Sequence, residues 1–102
     1  MIASNDISRR SDEIQILVAS NSIPTALKKL MDFVRDFATE FLNEAIVISA
    51  NFVKVEGDIR TKAIDYKEYT KGRNELLFQM LTLIDEVKNS IVVRESLIAI
   101  EQ

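Results

Sequence analysis

Ile23-Pro24-Thr25-Ala26-Leu27-Lys28-Lys29-Leu30-Met31-Asp32-Phe33-Val34-Arg35-Asp36-Phe37 is the stretch that decides the fold class. Its apolar residues Ile23, Ala26, Leu27, Leu30, Met31, Val34, Phe37 and then Phe41 recur at steps of three and four. That spacing puts them on one stripe of a helix, which must bury against partner helices. Ser22 is placed to cap the helix, and Pro24 is tolerated in a first turn.

Working towards the N-terminus, Asn21-Ser22 reads as a turn. The first helix is expected from Asp6 to about Ser20, with Ile14, Leu17 and Val18 on its inner face. Towards the C-terminus the stripe is too long for one helix. A break is expected near residues 38–41, although neither Gly nor Pro marks it. The third helix is expected from about Glu40 to Arg60. Its broad face carries Leu42, Ala45, Ile46, Ser49, Phe52, Val53 and Ile59, widened by Ile48 and Val55. Gly57 lies inside it at a cost of roughly 1 kcal/mol relative to Ala. A close helix crossing or a local bend would account for that. Ser49 is expected to bond a backbone carbonyl one turn earlier.

Asp65-Tyr66-Lys67-Glu68 fits a capping box, in which Asp65 accepts from the Glu68 amide and Glu68 reaches back. The helix that follows carries Tyr66, Tyr69, Leu76, Leu77, Met80, Leu81, Ile84 and Val87, and the stripe continues through Ile91 and Ile98. No segment alternates as a strand would. The expectation is an all-α, compact antiparallel bundle of four or five helices. Residues 14–89 form its body, 1–13 an extension or the start of the first helix, and 90–102 a helical extension or a linker.

The 102 residues include no Cys and no His, with 13 Lys+Arg against 16 Asp+Glu. Thiolate nucleophiles, disulfides, His-based triads and His-containing metal sites are excluded. A net charge of −3 argues against nucleic acid as a partner. Charged residues interrupt every apolar run well before a membrane span, and the N-terminus has no secretory pattern. A cytoplasmic domain without a cofactor is expected. A carboxylate site for Mg²⁺, the hard cation that takes several oxygen ligands, would have to use Glu40 and Glu44 set against Asp65 and Glu68. Their spacing suits that chemistry poorly, so an all-α hydrolase ranks last.

Charge segregation is more informative. Asp32, Asp36, Glu40 and Glu44 recur every fourth residue and would form one acidic stripe on a continuous helix, opposing each other by roughly 0.2–0.5 kcal/mol per pair. Arg60, Lys62, Lys67, Lys71 and Arg73 concentrate positive charge over residues 60–73. Both sets are ordinary solvated faces on one reading. On another they are partner-binding candidates that pair between copies, head to tail.

The order of local patterns resembles the effector-associated domains of bacterial conflict systems, most closely type eleven. The residues that carry the likeness are Leu17-Val18-Ala19, a Ser20-Asn21-Ser22 turn, and Ala26-Leu27-Lys28-Lys29-Leu30. Asn43-Glu44-Ala45 and Ile48-Ser49-Ala50-Asn51-Phe52 follow, then Ile64-Asp65-Tyr66-Lys67-Glu68-Tyr69, Asn74, and Leu76 to Glu86. The likeness spans residues 14–87. Asn51 stands where a basic residue is usual. Lys62 stands where a Gly usually precedes the last helix, which would let the third helix run on further.

The resemblance implies a non-catalytic adaptor that recruits a protein partner, either another copy or a related domain on an effector, in bacterial defence or signalling. It also makes Asn43 and Asn74 recurrent polar positions, expected to be structural together with Asp65 and Glu68. The rival from a different class is an obligate homodimeric bundle, in which each chain supplies half of the core.

Overall fold

The computed structural model describes the backbone of residues 2–101 and the side chains of residues 6–92 and 94. Four α-helices follow one another: α1 Ile2–Ala19, α2 Ile23–Phe37, α3 Leu42–Arg60 and α4 Tyr66–Glu101. A single 3-10 turn, Thr39–Phe41, links α2 to α3. There is no strand among the described residues. α2 is the hub, packed on α1, α3 and α4, while α3 and α4 pack along each other.

The decisive stretch behaves as its spacing requires. Ile23, Ala26, Leu27, Leu30 and Val34 are buried. Phe33, which the stripe as read above leaves out, is wholly buried and meets Phe37 edge-on at 5.5 Å between ring centroids. From α4 come Leu76, Met80, Leu83, Ile84 and Val87; from α3, Ala45 and Ile48; from α1, Ile7 and Ile14. Each large side chain enclosed this way contributes roughly 1.5–3 kcal/mol.

Both outer turns are closed by the same hydrogen-bond pattern. After α1, Ser22 N–H donates to Leu17 O at 2.8 Å and Asn21 N–H to Val18 O at 3.1 Å, with Asn21 at φ 65°. After α3, Ala63 N–H donates to Asp58 O at 2.8 Å and Lys62 N–H to Ile59 O at 3.1 Å, with Lys62 at φ 63°. These are Schellman motifs, whose pivotal residue is left-handed and favours Gly. Asn21 tolerates that conformation; Lys62 has a side chain that opposes it.

Several expectations need correcting. α1 begins at Ile2, not Asp6, and Ile7, absent from the expected inner face, is part of the core. Ser22 precedes α2 as expected, but its side chain makes no capping hydrogen bond. Ile46 and Val53 on α3 are exposed, because α3 meets its neighbours through Ala45, Ile48, Phe52 and Val55, and Tyr66 at the start of α4 is exposed as well. Gly57 is not at a close crossing: a methyl there would meet only the Arg60 guanidinium, at 3.8 Å. Ser49 donates to Met31 Sδ across the α2–α3 contact at 3.5 Å, not to a carbonyl. Lys62 does not extend α3, which stops at Arg60. α4 runs as one helix from Tyr66 to Glu101, so no separate fifth helix follows residue 89. Ile98, where the stripe is expected to continue, lies outside the described side chains.

Candidate functional site

The break at Ala38 dissolves the acidic stripe. Ala38 takes φ −158° and ψ 71°, so Asp32 and Asp36 stay on α2, Glu40 falls in the 3-10 turn, and Glu44 moves to α3. The first three are engaged within the chain. Asp32 pairs with Arg35 at 3.2 Å, Asp36 with Arg10 at 2.7 Å, and Glu40 with Arg94 at 3.1 Å. The Arg10 guanidinium also lies over the Phe37 ring, 5.2 Å from its centroid, tying α1 to α2. Arg94 is a clamp: it also donates to Phe37 O at 3.2 Å and to Ser90 Oγ at 3.2 Å, holding α4 against the α2–α3 junction.

The basic set divides similarly. Arg73 is drawn in towards Glu56, with 3.5 Å between Nε and Oε1, too poorly aligned for a hydrogen bond. Glu56 instead accepts from the Tyr69 hydroxyl at 2.7 Å. That bond, followed by burial, holds the Tyr69 phenol above its ordinary pKa. Arg60, Lys62, Lys67 and Lys71 remain exposed, and among the described residues none of them forms an ion pair. Tyr66, 75% exposed, lies in the same stretch of the chain.

Asp65 Oδ1 accepts from the Glu68 amide at 2.8 Å. The return bond from Glu68 is not formed among the described residues. Asn43 and Asn74 are both exposed, and neither side chain makes a hydrogen bond among the described residues, so neither ties helices together. The carboxylates considered for a metal are far apart: Glu40 and Glu44 lie at one end of α3, Asp65 and Glu68 beyond the other. Nineteen residues of helix separate the ends by about 27 Å. No group of three or more His, Cys, Asp or Glu residues suited to a metal occurs among the described residues.

What the sequence reading missed is a groove between α3 and α4. It has a volume of about 540 Å³, and its lining includes Val47, Ile48, Phe78 and Leu83, with Glu44 and Glu86 beside them and no Lys or Arg. Phe78 is 72% exposed and Val47 is 56% exposed. The lining is therefore apolar, and the charge on it is of one sign. One signal was available: Phe78 is an aromatic residue off the α4 core stripe, on a face that should be polar.

An all-helical domain with an acid-edged apolar groove on its α3–α4 face is thus what the chain builds. A family model described as effector-associated domain 11 matches residues 10–88, and the chain belongs to that family. Neither a curated protein nor a solved structure gives a match. No helix among the described residues is long and apolar enough to cross a membrane.

Proposed function

We propose that the chain is a non-catalytic adaptor domain, which recruits a protein partner to an effector in a bacterial defence or signalling system and acts in the cytoplasm. The observation that carries this is the α3–α4 groove, where Phe78 and Val47 stand in solvent beside Glu44 and Glu86. Exposed apolar surface bounded by charge is characteristic of protein-binding faces. Membership of the effector-associated domain 11 family supports the same reading. With neither His nor Cys in the chain, a reactive centre is hard to build, and nucleic acid and membranes are poor partners for a surface edged with carboxylates. The core closes within one chain, which favours a self-standing adaptor over an obligate dimer with a shared interior.

The test is affinity capture of the tagged chain from its native host, beside the doubly substituted Val47→Gln, Phe78→Gln chain. Both positions are exposed, so the variant keeps its core. A protein retained by the wild type and lost from the variant is the expected result. Identical retention by the two chains would overturn the reading.

A further inference from the structure

We propose that the groove receives the basic end of a second copy of this chain, so that copies associate head to tail. The inference rests on the adaptor reading and names its partner and surfaces. The first ground is charge. Glu44 and Glu86 line the groove and no cation does, so two grooves placed face to face would set like charges together, which is unfavourable at an interface. A symmetric pairing through this face is therefore opposed, and a cationic occupant is favoured.

The second ground is that the chain itself carries such an occupant. Arg60, Lys62, Lys67 and Lys71 lie with the exposed Tyr66 in residues 60–71 at and beside the α3–α4 turn, where they outnumber the exposed Asp65 and Glu68, and none of these four cations is paired among the described residues. An exposed aromatic ring for an apolar slot, on a stretch with an excess of cations for an acidic edge, matches the groove in both polarity and sign. Tyrosine is also among the residues that dominate interface energetics.

Geometry makes the pairing intermolecular. Lys67 and Thr82 belong to the same helix, α4. About fifteen residues of helix, about 22 Å, separate them, and even Lys71 and Phe78, the nearest members of the two sets along α4, are about 10 Å apart along its axis. A rigid helix holds them there, and no chain can fill its own groove. Joining one copy's end to the next copy's groove leaves an end and a groove free, so the contact repeats.

Lys62 adds an independent sign. It occupies the left-handed position at φ 63°, where Gly would be relaxed. Strain of that kind is characteristically held where a side chain is needed, and the cation is needed at this end.

Complementation tests this with the full chain. One variant, Lys67→Glu with Lys71→Glu, loses its basic end; the other, Val47→Gln with Phe78→Gln, loses its groove. In sedimentation velocity the wild type should grow in mass with concentration, and growth should fall as salt rises. Each variant alone should stay at the 11.6 kDa of one chain, and an equimolar mixture should give a species of twice that mass and no larger. A mixture that remains monomeric while the wild type associates would overturn the head-to-tail pairing. A wild type that is monomeric throughout would also overturn it. In that second case, groove-dependent capture of an unlike protein would leave the adaptor reading standing, and loss of capture as well would remove both.

Discussion

The Tyr69 hydroxyl donates to Glu56 Oε1 at 2.7 Å, joining the first turn of α4 to the last turns of α3. The bond spans the turn that carries the exposed cations, so it fixes the angle at which the basic end leaves the bundle. A neutral phenol can donate to a carboxylate; a phenolate cannot. Because the folded state raises the Tyr69 pKa, the bond's contribution is complete below the unfolded value of about 10. It is lost as pH rises through the higher folded value. Tyr69→Phe should lower stability by about 1 kcal/mol at pH 7. The gap between the two chains should begin to narrow above about pH 10 and close once pH passes the higher folded value, as followed by urea unfolding across pH.

A second pH effect comes from the opposite limb. Lys29 Nζ lies 2.8 Å from Glu13 Oε1, between α2 and α1. Chiefly through that contact, the Glu13 carboxyl is held below its ordinary pKa. Its contribution is therefore present above the unfolded value near 4.3 and is lost as pH falls through the folded one. Glu13→Gln should flatten the acid limb of the stability curve, measured by thermal unfolding from pH 7 down to pH 3.

Lys62→Gly separates stability from association. Relieving a left-handed Lys should stabilise the fold by about 0.5–1 kcal/mol, since Gly has no side chain to strain there. The same change removes one cation from the basic end. A chain that melts higher and self-associates less is the expected outcome, and thermal unfolding with sedimentation measures both.

How legible all this is from residues alone can be judged element by element. The α2 stripe and the break after Phe37 follow from spacing, because a helix buried on one side must repeat every three or four residues. The two faces of α3 do not. Ile46 and Val53 are as apolar as Ile48 and Val55, and only the placement of α2 and α4 decides which pair is covered. The length of α4 is equally hidden: nothing local stops it, and Arg94 reaching Phe37 O and Glu40 is a contact across more than fifty residues. Likewise, the acidic repeat looks continuous until Ala38 turns the backbone. The groove exists only once α3 lies beside α4, although Phe78 announces it weakly.

Ending the chain at residue 89 removes the Arg94 clamp and the partly buried Ile91. An ion pair this exposed contributes less than about 1 kcal/mol, and the lost apolar contact adds a similar amount. The shortened chain should stay folded and melt on the order of 5–10 °C lower. An unchanged melting temperature would show that residues 90–102 pack on nothing in the bundle.

Phe33→Ala empties the centre of the core, where α2 faces the other helices, and should destabilise by about 3–5 kcal/mol. Ser11 offers the contrast. It is wholly buried, but its hydroxyl donates to Ser8 O at 3.1 Å within its own helix. Ser11→Ala removes a locally satisfied group and should change stability by less than about 1 kcal/mol.

The most direct measurement is a dilution series of amide ¹H–¹⁵N spectra on the labelled wild-type chain, from near-millimolar to micromolar concentration at low salt. Head-to-tail association predicts concentration-dependent shifts in two separate clusters, one at residues 44–48 with 78–86 and the other at residues 60–71. A single cluster, which would mean a symmetric contact, or spectra that do not change with concentration would contradict it.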